Sequence, residues 1–374
     1  MRRIRVLVVE DSLTMRRFLT AMLAGDPECE VVGEAADAAG AIRQCEVLRP
    51  DVVTLDMLLA GESTGLEVTE HVMAHCPTPI LIVSSSFNRG EALKSLDALA
   101  AGAVDMLEKP TGKEPEGDWR QAFLDRVKLV SRIRVITHLR GRRRALGQGV
   151  MGEAVSEGAT RGSALARPRA GRSEPRLIVM GASTGGPGAV AEILGDRAHP
   201  VPLPLLLVVH LAPGFGQTFA AWLGEMVPMP VREAVHGAPL PRPDERCVIV
   251  APAEAHLLVE GGLLRLSKGP ERHSCRPSID VLFESVAREL GAAAIGCLLT
   301  GMGRDGAEGL LAMRNAGAVT VAQDEASSVV FGMPREAIRL GAAGHVLCLP
   351  AIAPALVHFA SKGGTRAAGV KESS

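Results

Sequence analysis

Aromatic residues make up only 3% of this 374-residue chain, against 47% hydrophobic residues in all. Any core must therefore be aliphatic, which suits parallel α/β sheets whose strands read as runs of Val, Ile, Leu and Ala. No apolar stretch is long enough to span a bilayer, so membrane insertion is not expected. The formal net charge is −1, which gives no global reason to expect nucleic-acid binding. Seven cysteines stand at Cys29, Cys45, Cys76, Cys247, Cys275, Cys297 and Cys348. They form no C-x-x-C pair, their number is odd, and no H-E-x-x-H occurs. Buried reduced thiols in a reducing compartment are the expectation. The apolar run Ile4 to Val9 is cut off by Glu10-Asp11, too short for the core of a signal peptide, so the cytoplasm is expected.

What is present is an alternation of strand and helix patterns. Buried-strand runs at Ile4 to Val9, Glu30 to Ala35, Asp51 to Leu55, Ile80 to Val83 and Ala103 to Leu107 alternate with helical periods. Those periods fall at Leu13 to Ala24, Ala38 to Leu48, Leu66 to His75 and Gly90 to Ala100. Trp119 to Leu139 closes the series as a helix. Five such repeats predict a doubly wound parallel sheet. From Arg140 to Ser173 the period is lost and Gly, Ala, Ser, Pro and Arg dominate, the composition of a solvated interdomain linker. The alternation resumes with Leu177 to Met180, Pro187 to Leu194, Leu205 to Val209, Ile279 to Leu290, Ala294 to Leu299, Gly306 to Ala316 and Val319 to Ala322. Turn-rich residues Val231 to Leu266, with strand-like pieces Cys247 to Val250 and Leu263 to Leu266, predict a small antiparallel hairpin. The expected divisions are 3–122 (its last helix reaching about 139), linker 140–173, a second α/β domain over 174–362, and a disordered tail 363–374.

Open α/β sheets place their sites at the carboxyl ends of strands. In the first half those ends carry Glu10-Asp11, Asp56, Ser84 and Lys109-Pro110. Three carboxylates brought together suit a hard divalent cation such as Mg2+. One of them can attack a phosphoryl group, with Lys109 and Ser84 within reach of the added oxygens. This ordered set, over about Arg3 to Asp125, resembles the receiver domain of two-component response regulators. The resemblance implies that Asp56 is the phosphoacceptor and that Glu10 and Asp11 hold Mg2+ with it. One departure stands out. Receivers usually follow the acceptor with Met-Pro and Asp-Gly, whereas here Met57-Leu58-Leu59-Ala60-Gly61-Glu62-Ser63-Thr64-Gly65 follows, one residue longer.

In the second half a strand runs into Gly181-Ala182-Ser183-Thr184-Gly185-Gly186-Pro187. The flanking glycines permit a tight strand-to-helix turn, and the run fits G-x-S-x-G, the nucleophile elbow. Backbone N–H groups at the helix start can face an oxyanion. A dinucleotide loop is the competing reading, but the G-x-G-x-x-G spacing is missing. The next strand ends at His210, where a general base is wanted. Asp305, after the strand Ala294 to Leu299, can orient the imidazole. The order Ser, His, Asp differs from that of α/β-hydrolases. G-A-S-T-G-G, the H-L-A-P-G-F run from His210, R-P-S-I-D-V-L-F from Arg276 and L-T-G-M-G-R-D-G-A from Leu299 together resemble the chemotaxis methylesterase family (CheB).

That resemblance implies a serine hydrolase that removes methyl esters from glutamates of methyl-accepting chemoreceptors and deamidates some of their glutamines. Ser183 is then the nucleophile, His210 the base and Asp305 the orienting acid, with Thr184 and Met302 near the oxyanion. It implies a sensor histidine kinase as phosphodonor, Mg2+ for the receiver only and no cofactor for the esterase; no nucleic-acid partner and a monomer are expected as well. The receiver is expected to cover the esterase cleft until Asp56 is phosphorylated. Two other classes stand against it: a response regulator with a non-catalytic binding module, and a nucleotide-binding oxidoreductase domain. His71 and His75, four residues apart, lack a third ligand and read as a solvated pair. Cys275 reads as an ordinary free thiol. No receptor-tethering pentapeptide is evident in the tail.

Overall fold

The computed structural model describes residues 2–61, 64–85, 89–110, 112, 117–133, 135 and 174–361. The expected linker 140–173 and tail 363–374 lie outside the described residues, as do 136–139.

The first domain alternates β1 (Ile4–Val9), α1 (Leu13–Ala24), β2 (Cys29–Ala35), α2 (Ala38–Leu48), β3 (Val52–Leu55), α3 (Gly65–His75), β4 (Ile80–Ser84), α4 (Arg89–Ala100), β5 (Asp105–Glu108) and α5 (Asp118–Val130). The strands pair in parallel in the order β2-β1-β3-β4-β5. Short polar side chains cap the first two helices. Ser12 Oγ accepts from Met15 N, and Asp37 Oδ1 accepts from Gly40 N at 2.7 Å. β3 and β4 are buried throughout, as their mainly aliphatic runs require. The strand order reverses between β1 and β3, and Glu10, Asp11 and Asp56 sit at that switch point. α5 stops at Val130 instead of running on to about 139. There the chain tightens: Ile133 N donates to Val130 O, and the Ser131 hydroxyl takes up Lys128 O.

The second domain holds β6 (Leu177–Ala182), α6 (Gly186–Leu194), β7 (Leu205–Val209), α7 (Pro213–Met226), β8 (Val231–Glu233), β9 (Val248–Val250), β10 (His256–Glu260), β11 (Leu263–Ser267), α8 (Ile279–Leu290), β12 (Ala294–Leu298), α9 (Ala307–Asn315), β13 (Val319–Gln323), α10 (Met333–Arg339), β14 (His345–Leu347) and α11 (Leu349–Ser361). Seven strands form one parallel sheet in the order β14-β13-β12-β6-β7-β9-β8. β6 is the central strand from which the order runs both ways, so its carboxyl end is the favoured place for a site. The hairpin is β10 with β11. Cys247 to Val250 does not belong to it. Val248–Val250 is instead an inner strand between β7 and β8, and its three residues are wholly buried, which a solvent-facing hairpin does not offer.

The two domains share a core. Leu99 and Ala103 of the first pack in one cluster with Ala189 and Phe219 of the second. α4 lies against α6 and α7. At Gly188 the approach is close, since a Cβ there would stand 3.3 Å from Leu99 O.

Candidate active site

In the acid cluster, ligand atoms of Glu10, Asp11 and Asp56 all lie within 4.8 Å of one another. Lys109 reaches in from the end of β5, its Nζ 2.7 Å from Asp56 Oδ2 and 3.0 Å from Glu10 Oε2. One cation does not balance this site. Burial, then the neighbouring Asp56 charge, push Glu10 up to about 7 in spite of Lys109. Burial likewise holds Asp56 above the usual carboxylate range. Asp56 Oδ1 is buried and accepts no hydrogen bond among the described residues. A crowded carboxylate set with an orphaned oxygen fits a hard divalent cation such as Mg2+. Ser84 is buried, and its hydroxyl donates to Glu91 Oε1 at 2.7 Å, as does Ser85 N at 2.8 Å. In the loop after Asp56, Met57 is buried and Leu58 exposed. Residues 62 and 63 of that loop lie outside the described residues.

The second site is built on the ends of β6, β7 and β12. Ser183 follows Ala182, which is in register with Val209, so Ser183 and His210 leave adjacent strands side by side. His210 N donates to Ala182 O at 3.0 Å. The turn at Ser183 is tight. Ser183 N donates to Thr300 O at 3.0 Å, Gly186 N donates to Ser183 O at 2.7 Å, and Gly185 takes φ +75°. Gly301 is held to glycine by space instead, because a Cβ there would fall 2.6 Å from Ser183 Cβ. Ser183 Oγ makes no hydrogen bond to any described residue.

His210 Nε2 lies 2.9 Å from Asp305 Oδ2. Asp305 is 2% exposed and accepts three further bonds, from Ser278 Oγ (2.7 Å), Ile279 N (2.7 Å) and Asp280 N (3.1 Å). The last two are amides at the N-terminus of α8, where negative charge is welcome. Burial alone would raise the Asp305 carboxyl, but the His210 bond and these donors hold it below the ordinary range. Burial would push His210 down. Its bond to Asp305, helped by Cys275, outweighs that and holds it up at about 9. The other ring nitrogen, Nδ1, faces Cys275 Sγ at 3.7 Å. Thr184 and Met302 flank Ser183 and Gly301, and neither amide N–H is bonded to a described residue. Met302 is 58% exposed.

The turn at Ser183 also touches the first domain. Thr184 Oγ1 donates to Asp105 Oδ2 at 3.2 Å, and Arg126 Nη1 holds that same oxygen at 2.8 Å. Trp222 Nε1 donates to Asp97 Oδ1 at 2.9 Å. Sequence reasoning did not single out Asp97, Asp105, Glu91 or Ser278. Only Ser278 had a signal, its place in the R-P-S-I-D run, whose serine caps α8 and turns to Asp305.

A sequence profile described as CheB methylesterase matches residues 178–356, and one described as response regulator receiver domain matches 6–115. A protein-glutamate methylesterase/protein-glutamine glutaminase 2 of Anaeromyxobacter dehalogenans is 41% identical over 95% of this chain and 96% of its own. One from Nitrosospira multiformis is 41% identical over 96% of this chain and 98% of its own. Among solved structures, the Thermotoga maritima CheB methylesterase catalytic domain is 31% identical, covering 50% of this chain and all of its own, with a TM-score of 0.47. The chain belongs to the CheB methylesterase family, with a receiver domain ahead of the methylesterase domain.

Proposed function

We propose that this chain is a protein-glutamate methylesterase and protein-glutamine glutaminase, switched on by phosphorylation, that acts on the cytoplasmic domains of methyl-accepting chemoreceptors. The observation that carries the reading is the His210–Asp305 pair at 2.9 Å, with Ser183 on the adjoining strand end. Ser183 Oγ attacks the ester carbonyl while His210 takes its proton. Asp305 keeps the ring in place and stabilises the imidazolium. The oxyanion forms against the unbonded amides near Thr184 and Met302. His210 then protonates the departing methanol. Water hydrolyses the acyl-enzyme by the same route, and a glutamine loses ammonia in place of methanol.

In the receiver, Asp56 takes the phosphoryl group from a sensor histidine kinase, and Lys109 pairs with its oxygens. Glu10, Asp11 and Asp56 would hold Mg2+, which when bound offsets the negative charge gathered there. The unphosphorylated receiver restrains the esterase. Its β5 meets the turn that carries Ser183 through Asp105–Thr184, and its α4 meets α7 through Asp97–Trp222. Phosphorylation biases this interface toward separation, and a preference of about 1–3 kcal/mol is enough for a several-fold change in rate. The protein works in the cytoplasm as a monomer, with no nucleic-acid partner and no membrane insertion. Among the described residues no helix is long and apolar enough to cross a membrane. The domain divisions are 3–122 and 174–362, joined by a basic linker.

The test is release of radiolabelled methanol from methylated receptor, with and without a small phosphodonor. Release should rise with the donor. Ser183→Ala should abolish it while Asp56 is still phosphorylated. Full release in that variant would remove Ser183 from the mechanism.

A further inference from the structure

The nitrogen of His210 that Asp305 leaves free faces a thiol. Because the Asp305 carboxylate accepts from Nε2, the lone pair of a neutral His210 ring sits on Nδ1. Cys275 Sγ lies 3.7 Å from that atom. Zinc bonds of about 2.05 Å to nitrogen and 2.3 Å to sulfur, at the tetrahedral angle, put the two ligand atoms about 3.6 Å apart. The observed separation needs almost no adjustment. A metal-ligating histidine commonly gives its second ring nitrogen to a carboxylate, and Asp305 already takes that part. His210, Cys275 and Asp305 form one of the ligand-competent groups among the described residues. His210 and Cys275 are both partly exposed.

We infer that His210 and Cys275 form a site for a soft divalent cation of the zinc type, and that filling it switches the esterase off. On binding, one N–Zn and one S–Zn bond form. Two metal-bound waters, the thiol proton and, from the protonated ring, the Nδ1 proton of His210 leave to solvent, and water keeps the remaining positions. The metal then holds the lone pair that the base needs for the Ser183 proton. Only this inhibitory consequence rests on the proposed function. The binding site stands on its own geometry.

Full-length protein, with Mg2+ saturating so that the receiver acids are filled, is titrated with Co2+ and then with Zn2+. One equivalent of Co2+ should give a thiolate-to-metal charge-transfer band with the visible bands of a tetrahedral ion, and Zn2+ should displace it. Cys275→Ala should lose that band. Loss of a residue that merely orients a ligand costs about tenfold or more in affinity, so loss of this ligand should weaken zinc binding at least that much. Cys348→Ala, which removes an exposed thiol elsewhere, should keep both. Ester hydrolysis, scaled to each protein's own zinc-free rate, should be half-inhibited where zinc half-saturates, and Cys275→Ala should resist. A charge-transfer band that persists in Cys275→Ala, or zinc bound equally by wild type and variant, overturns the site. Cys275→Ser supplies the same comparison should the alanine variant not fold. If the protein hydrolysed no ester at all, the cobalt spectrum would still decide on the metal.

Discussion

Both domains place an aspartate at a strand end of a parallel sheet, yet the two carboxylates live in opposite surroundings. Asp305 accepts four hydrogen bonds, two of them from amides at the start of α8, and is held below the usual carboxylate range. Asp56 shares one lysine with Glu10, leaves one oxygen unbonded, and is pushed upward by burial. A fully bonded carboxylate is a fixed pole: it cannot move or react, and it can only orient what touches it. An under-bonded one keeps a lone pair and a charge for an incoming group. The same strand-end rule thus yields an orienting acid in one sheet and an acceptor in the other. The number of donors aimed at each carboxylate decides which.

The largest effect that contrast predicts is on catalysis. Asp305→Asn keeps the shape but turns an NH2 toward donors, so His210 loses its orienting charge. Methanol release should fall by about 10^4-fold. Asp56→Asn should leave the unstimulated rate where it is and abolish only the response to a phosphodonor. Comparable losses of unstimulated rate in the two variants would break the contrast.

Next in size is stability. At neutral pH, Asp305→Asn strands buried donors and should destabilise the esterase domain by about 3 kcal/mol, since breaking a buried pair costs of that order. Asp56→Asn removes a charge from a crowded, under-bonded cluster. Without Mg2+ it should leave the receiver unchanged or raise its urea midpoint by the equivalent of about 1 kcal/mol. Saturating Mg2+ should reverse that order by stabilising the wild type more than the variant. A receiver that is weakened by Asp56→Asn without Mg2+ would mean that the Lys109 pair, not the crowding, dominates there.

Much of this was legible in the sequence because it is written locally. The aliphatic runs of β1, β3, β6 and β7 end at Glu10, Asp56, Ser183 and His210. In each sheet the parallel strands bring those ends to one edge, so the alternation, with the G-x-S-x-G run and the two family resemblances, pointed to the candidate residues. What was not legible is carried by contacts distant in sequence, or by elements whose period is blurred. Val248–Val250 is too short to tell an inner strand from a hairpin arm. Pro213-Gly214-Phe215-Gly216 disguises the first turn of α7, and Pro354 lies inside α11. Ser278 and Asp305 meet across 27 positions, and Cys275 and His210 across 65. No local pattern announces either pair.

The smallest effect concerns the seam between the two regions. Asp97 sits on the receiver's α4, half-buried, and accepts the indole N–H of Trp222 in the esterase. Asp97→Ala leaves that N–H without its partner and touches neither the acid cluster nor the triad. A hydrogen bond of this kind contributes about 1 kcal/mol, which is a factor of about five in an equilibrium constant. If the seam restrains the esterase, the unphosphorylated variant should release methanol about fivefold faster than wild type. Its fully phosphorylated rate should stay the same, so the activation ratio shrinks by the same factor. Deleting 1–140 sets the upper limit, because it removes the whole seam. An Asp97→Ala protein whose unstimulated rate equals wild type, beside a deletion that is faster, would put the restraint at Asp105 and Thr184. Equal rates in all three would mean that the packed receiver does not restrain the enzyme.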